Sequence, residues 1–249
     1  MTEQGPDTRL RSLAEGFAEE LTETVRGVLP GAPRFHAFLS KTRFWVTPVD
    51  DARKQRPVVL TINGDPRLDL EVSFYCHWNT NRAFLAVDQS HVKLYYHGRG
   101  AQRVPLLRYE YERGWTDPPG AHVHVHAHRD ELAYLLRLAE RGQPQERMAK
   151  DRLPQLSEIH FPVGGHRFRP CFEDVLLMII REFAVDKEPE WRDVIDRAIQ
   201  RWRTKQLCAA VQDVPEVAAD KLRKLGWTVE PPPGIVPRPR TGIPKLFLP

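Results

Sequence analysis

The chain has 249 residues, 41% of them hydrophobic and 28% charged, the balance of a globular protein long enough to bury an ample core. Its formal net charge of +4 permits a polyanionic partner such as RNA or DNA without arguing for one. The longest apolar run, Val175 to Ile180, falls far short of the roughly 20 residues of a membrane span, and no basic stretch leads into an apolar core as in a secretory signal, so the expectation is a cytoplasmic protein with no membrane partner.

In chain order, residues 8–29 read as an amphipathic helix. Leu10, Leu13, Phe17, Leu21, Val25 and Val28 recur at three- and four-residue steps, and Pro30-Gly31 ends the run. From Arg34 to about Val163 the period changes to two, with candidate strands at 34–39, 43–47, 57–62, 68–77, 84–88, 91–97, 104–112, 121–128 and 158–163. Asn63-Gly64-Asp65-Pro66 is a turn signal between two of them. A short helix over 130–141, capped by Asp130 and stopped at Gly142, interrupts the series.

The remainder is helical over 170–227. Pro170 fits a first helical position, Glu173 and Asp174 suit the first turn, and Phe172, Val175, Leu176, Ile179 and Phe183 form a buried stripe. A second helix from near Pro189 buries Trp191, Val194, Ile195, Ile199 and Trp202, and a third over 215–225 stops at Gly226. The tail from Glu230 has seven prolines among twenty residues and is expected to be extended or disordered. Residues 1–229 thus read as one domain, with the sheet over 34–163, and 230–249 as a tail. Cys76, Cys171 and Cys208 form no C-x-x-C pair and read as buried free thiols.

Strand phases read independently agree. Leu68, Leu70, Val72, Phe74 and Cys76 alternate with Asp69, Glu71, Ser73, Tyr75 and His77, while Leu107, Tyr109 and Tyr111 alternate with Arg108, Glu110 and Glu112. Such alternation predicts an α+β fold: an antiparallel sheet with one face covered by the N-terminal and C-terminal helices and the other open. The open face then collects His77, His91, His97, His122, His124, His126, His128 and His160.

Four of these stand in His122-Val-His124-Val-His126-Ala-His128, and along a strand they share one face. Imidazole is the commonest metal ligand and the side chain whose unperturbed pKa lies near neutrality. Two chemistries follow. His122, His124 and His126 with Glu110 can ligate one divalent transition metal, since imidazoles about 6.6 Å apart at Cα can converge on an ion. Alternatively, RNA phosphodiester cleavage needs one imidazole as base, another or Glu110 as acid, and a cation such as Arg108 or Arg167 on the phosphate.

His166, Arg167 and Arg169, with Gly164-Gly165 before them, are expected at a helix N-terminus, either where a phosphate would be held or as a plain strand-to-helix connection with exposed arginines. Arg197, Arg201 and Lys205 form a basic helical stripe that reads as a solvated face or a track for a nucleic-acid backbone. Trp115 reads as a base-stacking group or as packing for its own loop.

Arg108-Tyr109-Glu110-Tyr111-Glu112, the His-x-His strand, and His166-Arg-Phe-Arg-Pro170 leading into an apolar helix together resemble the TumE-type toxins of bacterial toxin–antitoxin modules over roughly 104–186. The resemblance implies a growth-control or defence toxin acting on RNA, with an antitoxin partner. It also implies functional roles for Arg108, Tyr109, Glu110, His122, His124 and His126. Three readings therefore stand: a nucleic-acid-directed enzyme, with His166, Arg167, Arg169 and Tyr109 on the substrate; a metal-dependent hydrolase or oxidoreductase; and a non-enzymatic component that docks another protein.

Overall fold

The computed structural model describes residues 8–79, 82–97, 105–126, 161–230 and 243–248. The first helix, α1 (Thr8–Val28), buries Leu10, Ala14, Ala18, Leu21, Val25 and Val28 along one stripe. Its Thr22 is a pin: Oγ1 donates to the Ala18 carbonyl at 2.7 Å and accepts the Phe35 backbone N–H at 2.9 Å. That bond fixes where the chain leaves the helix and enters the sheet.

The strands are β1 (Arg34–Ser40), β2 (Arg43–Val49), β3 (Val58–Ile62), β4 (Asp65–Trp78), β5 (Leu85–Tyr96), β6 (Pro105–Glu112), β7 (Ala121–Val125) and β8 (Phe161–Pro162). They form one antiparallel sheet in the order β1-β2-β4-β5-β6-β7-β8, and β3 lies along the first half of β4. Asn63 and Gly64 both take positive φ, 55° and 82°, the conformation that a two-residue hairpin turn between β3 and β4 requires.

Where two strands were expected at 84–88 and 91–97, one continuous β5 runs from Leu85 to Tyr96. Gln89 and Ser90 are polar but break nothing, because each is paired on both sides, with β4 and with β6. The interruption that polarity hinted at is a bulge: Tyr75 opposes Gln89 while Cys76 opposes Val87, leaving Asp88 as the extra residue. The last part of the expected 121–128 strand, the residues 158–160, and the helix over 130–141 lie outside the described residues.

Four further helices follow among the described residues: α2 (Gly165–Phe168), α3 (Phe172–Phe183), α4 (Trp191–Asp213) and α5 (Pro215–Lys224). Pro170 is not the first residue of α3. Cys171 takes the N-cap position, and the Asp174 carboxylate accepts its backbone N–H at 3.0 Å, so Pro170 stands just outside the helix. Phe172, Val175, Leu176, Ile179 and Ile180 are buried, with Phe172 packed edge-on against Phe35 and Phe74 and Phe17 of α1 against Phe74. Helices α1 and α3 thus cover the apolar face, as alternation predicted. Helix α5 buries no residue and takes no part in that cover.

Two further expectations are corrected. Cys208 is exposed, while Cys76 and Cys171 are buried, because position 208 falls on the outer side of α4. Within the tail, Lys245–Phe247 is not extended: it forms a 3-10 turn that packs on α2 and α4. Pro244 before the turn, with φ −56° and ψ 143°, and Leu248 after it, with φ −85° and ψ 141°, are extended. Among the described residues no helix is long and apolar enough to cross a membrane.

Candidate metal centre on the sheet

Antiparallel register assembles the site. Glu110 on β6 lies opposite His91 on β5 and opposite His122 on β7, while Arg108 lies opposite His124. Since directly paired residues point to the same face, two imidazoles, one carboxylate and one guanidinium converge there without any contribution from a distant loop. His124 Nε2 is 3.5 Å and His122 Nε2 3.7 Å from Glu110 Oε2, and Arg108 Nη1 is 3.7 Å from the same oxygen. One ligand atom from each of Glu110, His122 and His124 lies within 4.8 Å of the other two.

This end of the face is not open. His122 is 1% exposed and His124 4%, against the expectation of a solvated row. The link between β6 and β7 folds over the site: Trp115 stacks parallel on the His122 ring, centroids 5.7 Å apart. Beneath it the Pro119 carbonyl accepts the Nδ1–H of His122 at 2.8 Å. That bond commits Nδ1 as a donor and leaves Nε2 as the nitrogen on the Glu110 side, open to a proton shared with the carboxylate or to a metal in its place. The link closes at Gly120 because a Cβ there would come within 3.0 Å of the Glu112 carbonyl and 3.1 Å of both the Trp115 carbonyl and His166.

Burial pushes the Glu110 carboxyl up, but hydrogen bonds from His122 and His91 and the charges of Arg108 and His91 outweigh it. The net effect holds the group well below the usual carboxylate range. His91 anchors the other oxygen, with Nδ1 3.3 Å from Glu110 Oε1 and Nε2 3.7 Å from Glu112. Sequence reasoning placed His91 and Glu112 on this face without giving them a role; the register pairing His91 with Glu110 is the signal that singles them out.

His126 stands beyond the end of β7 and is not one of the three converging groups. Its Nε2 is buried and without a hydrogen-bond partner among the described residues, and burial and Arg108 lower its pKa. His128 and His160 lie outside the described residues. His97 is held by Asp69 at 2.8 Å, and His77 bonds the Trp78 carbonyl, so neither joins the cluster.

The second expected group is on the far face. Tyr109 and Tyr111 alternate with Glu110, and Tyr109 packs against the core. His166 is buried with Nδ1 3.0 Å from the Tyr111 hydroxyl. Gly164 and Gly165 do take positive φ, 77° and 56°, but the helix they open is a single turn. Arg167 is held by Asp213 through bonds of 2.6 and 2.9 Å. Arg169 donates to the His166 carbonyl and lies over the Tyr111 and Trp202 rings. None of the four faces the Glu110 cluster, and a phosphate held at a helix N-terminus is not what this turn builds. Arg201 and Lys205 of the basic stripe meet Glu20 of α1 at 3.5 and 3.0 Å, so they fasten α4 to α1.

Toward the other edge of the site face the surface becomes aromatic. His91 contacts Tyr75 edge-on, Tyr75 stacks beside Trp45 at 6.4 Å, and Trp45 meets Phe38 at 5.6 Å. Arg43 lies over Tyr75 at 4.9 Å.

No family profile, curated protein or solved structure matches the chain. What its fold and site define is an α+β protein whose antiparallel sheet carries a His–His–Glu group with both histidines buried and the carboxylate partly so.

Proposed function

We propose that Glu110, His122 and His124 hold one divalent transition metal and that the protein is a metal-dependent hydrolase or oxidoreductase. The observation that carries this reading is the mutual approach of three ligand atoms within 4.8 Å. Two imidazoles and one carboxylate on one side of an ion leave its other positions for water or substrate, as in catalytic zinc and non-haem iron centres. The support around the ligands has the form such a site needs. Pro119 sets the tautomer of His122, and His91 steadies the carboxylate. When bound, the ion would supply Lewis-acid or redox chemistry. The chain's own residues orient the ligands, hold Glu110 ionised, and shield the group beneath Trp115.

Metal analysis of untagged protein tests this. About one ion per chain, lost when His122 and His124 are replaced by Ala, is the expected result; no bound metal after incubation with zinc or iron(II) would sink it.

A second reading, RNA cleavage by imidazole acid–base chemistry, is favoured by one observation: Arg108 stands opposite His124 and beside Glu110, where a phosphate's charge would be met. Glu110, held ionised, is poorly suited to donate the proton, so His122 and His124 would have to serve as base and acid. A toxin of this kind would arrest growth when expressed alone and would have an antitoxin partner. Cleavage of RNA by metal-stripped protein, abolished by the same substitutions, is the result that would put this reading first.

A further inference from the structure

We propose that a cleft at the end of the sheet, between the C-terminal turn and the ends of β4, β5 and β6, binds a phosphate-bearing anion. It is a different site from the His–Glu group and does not rest on the reading of that group. The cleft holds about 450 Å³, within the range of small-molecule sites, about 300–1,000 Å³. Its cations come from three separate stretches of chain: Arg82 between β4 and β5, Arg113 at the end of β6, and Lys245 in the 3-10 turn.

Folding gathers these charges against their mutual repulsion. Among the described residues that line the cleft, Asp88 is the one carboxylate. The β5 bulge turns it toward Arg113, whose guanidinium it accepts at 3.1 Å and whose backbone N–H its own carbonyl accepts at 2.8 Å. Behind the cleft, Arg167 is matched by Asp213. Among the described residues neither Arg82 nor Lys245 has a carboxylate within ion-pair distance, so two positive charges remain over.

Burial first, and the clustered cations after it, depress two groups at this end of the sheet. Lys245 is pushed down to about 8 by burial, then by Arg113 and Arg167. Burial, then Lys245, Arg169, Arg167 and Arg113, push His166 down to about 4. The His166 Nε2 is also buried with no hydrogen-bond partner among the described residues. A dianion between Arg82, Arg113 and Lys245 removes the conflict. A phosphate monoester carries about −1.5 to −2 at neutral pH, and its oxygens accept the forked N–H groups of arginine. A single carboxylate would cancel only half of the excess.

Calorimetric titration of the full chain at low salt tests the site, with inorganic phosphate and pyrophosphate as probes. The expected result is saturable one-site binding that weakens at least tenfold in Arg82→Ala and in Lys245→Ala. Both side chains lie away from the core, and circular dichroism checks that each variant is folded. Glu110→Gln, in the other site, should bind within twofold of the unaltered chain. A parallel titration with adenosine triphosphate separates sources: tighter binding than pyrophosphate assigns a nucleotide, and equal binding assigns the phosphate groups alone. Absence of saturable binding of both simple anions, or binding that survives the double Arg82→Ala, Lys245→Ala substitution, overturns the proposal. So does binding that is lost in Glu110→Gln.

Discussion

The Nδ1–H of His122 is donated to the carbonyl of Pro119 at 2.8 Å, three residues back in the chain. A strand histidine is thereby oriented by the loop that leads into its own strand, and its other ring nitrogen is the one 3.7 Å from Glu110. Because Trp115 of the same loop stacks on that ring, loop and ligand form one mechanical unit.

Trp115→Ala should therefore loosen metal without removing a ligand. Loss of an orienting partner around a metal-bound histidine typically costs about 10–100-fold in affinity. Competition against a chromophoric chelator would read a shift of that size, whereas His122→Ala should abolish stoichiometric binding. Equal affinity in Trp115→Ala and the unaltered chain would show that the loop merely covers the site.

Glu110 should give the fold an acid limb. Its folded-state pKa is depressed, so its stabilising contribution is present at neutral pH and declines as pH falls below its ordinary value, about 4.5. The isosteric Glu110→Gln cannot ionise and lacks this contribution. Urea titrations should find the unaltered chain more stable than Glu110→Gln at pH 7, with the gap narrowing progressively below pH 4.5. A gap that is constant with pH would mean that the carboxylate is not held by its neighbours.

The sheet and its covering helices were legible because alternation and helical periodicity each report a buried face. The Glu110–His122 approach was half legible: both residues were placed on one face, but only register shows that His91, Glu110 and His122 stand in line across three strands. Burial of the histidines was not legible. It is imposed by Trp115 and Pro119, and a loop's path over a sheet leaves no periodic trace in sequence. For the same reason the partners of His166, Arg167 and Arg169 were not legible. Glycines before a basic cluster announce a turn, but the partners Tyr111, Asp213 and Trp202 come from remote stretches of chain.

His166 should give a second and separable pH dependence. It is buried, and its pKa is lowered from 6.5 to about 4, so the fold favours the neutral ring. Its contribution is complete above pH 6.5 and is lost as pH falls from 6.5 toward 4. A shift of that size corresponds to about 3 kcal/mol across the window. Replacement by Gln, which cannot become charged, should flatten the stability profile between pH 6.5 and 4 even if it lowers stability at pH 7. An unchanged slope would mean that the ring is not desolvated.

Leu176→Ala should test the cover of the apolar face apart from the site. Leu176 is fully buried in α3, and truncating such a leucine costs about 2–5 kcal/mol through lost transfer energy and the cavity left behind. The His–Glu group lies on the opposite face, so the folded fraction of the variant should retain metal at the unaltered stoichiometry. Metal loss in folded protein would show that the packing of α3 sets the ligand geometry across the sheet.

Gly120→Ala joins both sides of the sheet in one substitution. The added methyl would meet the carbonyls of Glu112 and Trp115 and the ring of His166 at 3.0–3.1 Å. Two of those contacts are backbone and cannot give without moving the link between β6 and β7. Overpacking of this kind costs about 1–3 kcal/mol. The displacement should also pull Pro119 from His122, so the variant should combine a lower melting temperature with weakened metal binding. Destabilisation without weaker binding would uncouple the turn from the ligand, and the loop would then support the fold alone.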